Sequence, residues 1–141
     1  MLFEKRGRTT NRILIVEDEP LVAFSNEHVL LDHDYEIVAT VDNVQEATAT
    51  IENQSLDLVV TDVRLSNGGS GIDVARAAHL KAVPVLFAAG NCPLEAQKLA
   101  IACLAKPYSD RDLVDAIDAI DARRSGRQPR RMPAGLTYYA L

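Results

Sequence analysis

The stretch Arg12–Pro20 reads RILIVEDEP, and it carries both the fold and the chemistry. Ile13 to Val16 are four apolar residues in a row, three of them β-branched. That run is too short for a helix and suits a strand buried on both faces. Glu17, Asp18 and Glu19 follow at once, and Pro20 then opens a helical pattern. Proline is well placed in a first helical turn, where its missing N–H has no partner to lose. A buried strand that runs straight into carboxylates and then a helix is one unit of a strand–helix repeat.

The same unit recurs along the chain. Glu36–Val41 (EIVATV), Leu56–Thr61 (LDLVVT), Pro84–Ala88 (PVLFA) and Ala102–Ala105 (ACLA) read as four more strands. Between them, helical spacing predicts helices over Pro20–Asp32, from Asn43 as cap to about Asn53, and over Ile72–Leu80 and Pro93–Leu99. A last helix, capped by Ser109 or Asp110, carries Leu113, Ile117 and Ile120 on one face to about Arg123. Strands that are apolar on both sides belong to a parallel sheet covered on both sides. The expectation is an α/β chain: a doubly wound, five-stranded parallel sheet with helices on both faces. The domain spans 12–122, between a basic N-terminal tail, 1–11, and a basic C-terminal tail, 123–141.

Composition agrees with one soluble domain. Of 141 residues, 48% are hydrophobic and 25% charged, which excludes a disordered chain, a collagen-like repeat and a disulfide-stapled miniprotein. No apolar run approaches the roughly 18–20 residues of a membrane span, and the first residues lack the apolar core of a secretory signal. A cytoplasmic protein is expected. Cys92 and Cys103 have neither CxxC nor metal-ligand spacing, so two reduced thiols are expected. His28, His33 and His79 likewise lack metal spacing. Residues 13–122 hold 19 acidic and six basic residues, whereas the two ends hold nine basic residues and one acid. An acidic body argues against nucleic acid on its surface. The basic tail reads as solvated, with a polybasic contact to an acidic partner, nucleic acid or a membrane surface as the alternative.

The acids stand where an open parallel sheet binds ligands, outside the carboxyl ends of its strands. Strand one ends in Glu17-Asp18-Glu19, strand three in Asp62, and strand five in Lys106-Pro107. If strands one and three are neighbours, Glu17, Asp18 and Asp62 converge and repel unless a cation sits among them. An all-oxygen donor set suits Mg2+. A metal and a lysine beside a carboxylate can hold a phosphoryl group and let the carboxylate act as nucleophile. The loop Leu65–Gly71 (LSNGGSG) lacks the GK[ST] of a phosphate-binding P-loop and reads as a flexible loop over the acids.

ILIVEDEP, LVVTDVRL, PVLFAAG and LAKPYS, in this order and at these separations, resemble the receiver domain of two-component response regulators over about residues 12–122. The resemblance implies that Asp62 is the phosphoacceptor, taking its phosphoryl group from a sensor histidine kinase or a phosphotransfer protein. It implies Mg2+ bound by Glu17, Asp18, Asp62 and the backbone carbonyl of Arg64, Lys106 on the phosphoryl oxygens, and a cis Lys106–Pro107 peptide. Two positions depart from the family's pattern. Ala89 stands where a Thr or Ser hydroxyl is usual, and Cys103 where an aromatic side chain swings inward on activation. The connection from Leu99 to Cys103 lacks the family's glycine, which points to a short or irregular fourth helix.

The expected function is a stand-alone response regulator that assists its own phosphoryl transfer and is not a turnover enzyme. Without an attached DNA-binding domain, it would signal by protein–protein contact or serve as a phosphate sink. The alternative is a degenerate receiver acting as a phosphorylation-independent interaction module. A homodimer through helix four, strand five and helix five, a face that dimerises in some receivers, is admitted by the resemblance and not required by it.

Overall fold

The computed structural model describes residues 8–66 and 69–139. Its elements alternate as the sequence predicts: β1 (Arg12–Val16), α1 (Pro20–Asp32), β2 (Glu36–Val41), α2 (Val44–Asn53), β3 (Leu58–Asp62), α3 (Gly71–Leu80), β4 (Val85–Ala89), α4 (Ala96–Leu99), β5 (Ala102–Ala105), α5 (Asp110–Arg124) and β6 (Leu136–Tyr138). Polar side chains cap the starts of α2, α3 and α5. Asn43 Oδ1 accepts the Glu46 N–H at 2.9 Å, and Ser70 Oγ accepts that of Ile72 at 3.0 Å. Ser109 and Asp112 form a reciprocal capping box at 3.1 Å each way. The helix α4 is a single turn, as the missing glycine implied.

The sheet order is β2-β1-β3-β4-β5-β6, with the first five strands parallel. Side chains alternate across it, because successive residues of a strand point to opposite faces. Leu14, Val16, Val59, Val85 and Phe87 face α2, α3 and α4. Ile13, Ile15, Leu58, Val60 and Leu86 face α1 and α5, where Leu30, Leu113, Ile117 and Ile120 cover them. Two apolar cores, one on each face, hold β1, β3 and β4 in the middle, and their parallel direction brings their carboxyl ends to one edge.

The sequence offered Arg123–Leu141 as a tail. The structure continues α5 to Arg124 and then turns the chain back, so that β6 adds a sixth strand antiparallel to β5. Ala105 N–H donates to the Gly135 carbonyl and Tyr139 N–H to that of Ile101, each at 2.9 Å. Tyr139 is buried in the same core as Cys103 and Phe87. A three-residue edge strand with arginines before it has no periodicity to read, and only the open edge of β5 gives it a place.

Asp121 gathers the segment before β1 and the segment after α5. It is 2% exposed. Its carboxylate accepts the Thr10 N–H and hydroxyl at 2.9 Å, the Thr9 hydroxyl at 2.6 Å, and pairs with Arg127 at 3.0 Å. Nearby, Arg8 lies over the Tyr35 ring at 4.0 Å, and the Tyr35 hydroxyl donates to Asp118 at 2.8 Å. Asp121→Ala would leave several buried donors without an acceptor. It should lower the unfolding free energy by about 3 kcal/mol, read from urea titration. Asp121→Asn, which keeps an acceptor oxygen, should lose less.

Candidate functional site

Three strand ends deliver the polar groups. The chain leaves β1 at Glu17 and Asp18, leaves β3 at Asp62, and leaves β5 at Lys106. β1 and β3 are neighbours in register, Val16 beside Thr61, so the first two sets meet directly. One carboxylate oxygen each of Glu17, Asp18 and Asp62 lies within 4.8 Å of the others. Lys106 comes from two strands away. It crosses the end of β4, where Ala88 and Ala89 offer only methyl groups, and its backbone N–H donates to the Ala89 carbonyl at 2.8 Å. Lys106 Nζ then donates to Asp62 Oδ2 at 3.0 Å and to Glu17 Oε1 at 3.2 Å. The Lys106–Pro107 peptide is cis.

Each acid has its own environment. Glu17 is 4% exposed; burial pushes its carboxyl above the usual range, against the Glu19 N–H bond at 3.1 Å and the nearby Lys106 ammonium, which favour the charged form. Asp18 stands at the mouth and is held below the usual carboxylate range by hydrogen bonding from Ser66, whose backbone N–H lies 2.5 Å from Oδ2. Asp62 Oδ1 accepts the Arg64 N–H at 3.3 Å. Burial alone would lower the Lys106 ammonium, but the Asp62 hydrogen bond and the charges of Glu17 and Asp62 outweigh it and raise the group. The result is a charged lysine clamped between carboxylates.

Asp18, Asp62, Arg64, Ser66, Ala89, Asn91 and Lys106 line one open cleft. The donor set facing it is all oxygen, with an ammonium on its far side, which fits a hard cation such as Mg2+ held by Glu17, Asp18 and Asp62. Asn67 and Gly68, in the loop read as a flexible cover, lie outside the described residues. Ala89 is buried at the cleft wall and offers no hydroxyl.

The structure overturns the expectation of two reduced thiols. Cys92 and Cys103 are joined by a disulfide, with Cα atoms 6.3 Å apart. Eleven residues of separation conceal this, because the turn after β4 brings Cys92 back over β5. The His28 ring packs tilted against that of Phe24, with 4.0 Å between centroids.

Sequence reasoning passed over three supports. Ser66 orients Asp18 through a backbone N–H that no residue pattern announces. Tyr108, two residues after Lys106, pairs its hydroxyl with the amide of buried Asn26 at 3.0 Å and so docks the β5–α5 turn on α1. Gly71 meets the end of β3 so closely that a Cβ there would lie 1.8 Å from the Asp62 carbonyl oxygen. The Lys-Pro and Gly-Ser-Gly patterns were visible, but the contacts were not.

No curated protein matches the chain. The chain matches the response regulator receiver domain family over residues 13–118. Among solved structures, it resembles a CheY-like response regulator receiver domain protein of Methanospirillum hungatei JF-1 at 25% identity and a TM-score of 0.73, over 84% of this chain and 99% of that one. It also resembles a LuxR-family two-component response regulator of Aurantimonas sp. SI85-9A1 at 28% identity and TM-score 0.72, over 85% and 89%. Chemotaxis response regulator CheY4 of Vibrio cholerae shares the fold at 22% identity and TM-score 0.71, over 79% and 99%.

Because the added Cβ would collide with backbone, Gly71→Ala must displace either α3 or the end of β3. We expect a loss of about 2–3 kcal/mol of stability, seen as a lower Tm. Amide shifts at Asp62–Arg64 should move with it, whereas Gly90→Ala, which has open space around it, should leave both unchanged.

Proposed function

Since the chain belongs to the response regulator receiver domain family, we propose that Asp62 accepts a phosphoryl group from a phosphohistidine on a sensor histidine kinase or phosphotransfer protein. The observation that carries this is the convergence of three carboxylates within 4.8 Å, with Lys106 Nζ 3.0 Å from Asp62. An Asp62 oxygen attacks phosphorus, a P–O bond forms, the P–N bond breaks, and the leaving imidazole takes up a proton. Glu17, Asp18, Asp62 and the Arg64 carbonyl would hold Mg2+. When bound, Mg2+ neutralises charge on the phosphoryl oxygens. Lys106 supplies the second positive charge and holds Asp62 in place before the donor arrives. Asp18, at the mouth, would be its most exposed carboxylate ligand, while buried Glu17 also bonds Lys106.

The chain acts as an acceptor that assists its own phosphorylation and hydrolysis rather than as a turnover enzyme. Its acidic body and basic ends suit signalling by protein contact or service as a phosphate sink. A second reading has an observation of its own. Ala89 cannot bond the phosphoryl group, and Cys103 is bridged, so the usual hydroxyl–aromatic relay has no parts here. A phosphorylation-independent interaction module would look the same at these two positions.

Intact mass after a small-molecule phosphodonor separates the two readings. We expect a gain of one phosphoryl group that needs Mg2+ and vanishes in Asp62→Asn. Lys106→Ala should slow it about 100-fold. A folded protein that gains nothing would favour the interaction module. Ala89→Thr adds a hydroxyl donor at the cleft wall and should enlarge the amide-shift response to beryllofluoride, a mimic of the aspartyl phosphate.

A further inference from the structure

The Cys92–Cys103 bridge joins two places that matter to the site. Cys103 lies in the middle of β5, fully buried, between Phe87 of β4 and Thr137 of β6 in register, and three residues before Lys106. Cys92 is exposed in the turn after β4, next to Gly90 and Asn91, which line the acidic cleft. The bridge therefore ties the rim of the cleft to the strand that carries the lysine.

Little else ties that rim. Among the described residues, the backbone N–H groups of Gly90, Asn91 and Cys92 have no hydrogen-bond partner. The next secure anchor is Ala96, fully buried at the start of the single turn of α4. A segment with few backbone hydrogen bonds opens at low cost unless a covalent link holds it. Where thiols are kept reduced, a disulfide is most often transient or redox-sensing, and an exposed sulfur is the one a reductant can reach.

We propose that Cys92 and Cys103 are a redox-active pair that gates the response of the Asp62 site. This inference rests on the phosphoacceptor reading. The reductant is a dithiol. One of its thiolates attacks Cys92 Sγ, a mixed disulfide forms, and Cys103 leaves as a thiolate that takes up a proton. The second thiol of the reductant then closes its own disulfide and releases Cys92. In all, two electrons and two protons pass from the dithiol to the protein. In the oxidised chain the rim is pinned to β5, and loading of Asp62 is felt only in the cleft. In the reduced chain Cys103 stays in the core as a small apolar side chain, and the rim and α4 are released to move.

The test uses the full chain, oxidised or held in dithiothreitol, and alkylated with N-ethylmaleimide after denaturation. No addition in the oxidised chain and two after reduction are expected; two additions without reductant would overturn the proposal. With beryllofluoride and Mg2+, amide shift changes over residues 90–101 should be about threefold larger in the reduced chain than in the oxidised one. Cys92→Ser, at an exposed position, should give the larger response in either buffer and keeps Cys103 in the core. Equal responses in both redox states overturn the gate. Intact mass after phosphodonor, taken in both states, tells the two failures apart. A phosphoryl gain in both with equal shifts rejects the gate alone. No gain in either rejects the acceptor reading and the gate with it.

Discussion

Lys106 is the interaction on which the rest depends. At about 5 Å and an effective dielectric near 20, two carboxylates repel by about 3 kcal/mol, and Glu17, Asp18 and Asp62 make three such pairs. The lysine offsets the two inner ones by bonding Glu17 and Asp62 together. It does so by reaching from β5 past the end of β4 to the end of β3.

That constraint makes sense of the surrounding frame. Parallel strands bring their carboxyl ends to one edge, and the two apolar cores keep β1, β3 and β4 from sliding. The close approach of Gly71 to Asp62 and the Tyr108–Asn26 contact fix the two turns flanking the acids. The rim at Gly90–Cys92 is held differently, by one covalent bond in place of a hydrogen-bond network.

Away from the cleft, Asp121 does for the segments flanking β1 and α5 what Lys106 does for the acids. One buried carboxylate gathers Thr9, Thr10 and Arg127, so that residues preceding β1 and following α5 pack together. β6 then closes the open edge of β5, the strand that carries Cys103 and Lys106. An open edge is a template for pairing with another chain, and β6 covers that of β5 with a strand of only three residues.

The sequence by itself determined the order of elements and the identity of the acids. Apolar runs of strand length, helical spacing between them, and Glu17, Asp18, Asp62 and Lys106 at strand ends are all local patterns, and a repeating strand–helix chain has few ways to fold. Only the tertiary structure decided the rest. The disulfide, the sixth strand, the Asp121 clasp and the passage of Lys106 across β4 each join residues whose separation along the chain carries no signal. The physical reason is the same in each case. Periodicity reports which face of an element is buried, whereas a contact between a turn, a terminus and a strand exists only after the sheet has set the distance between them.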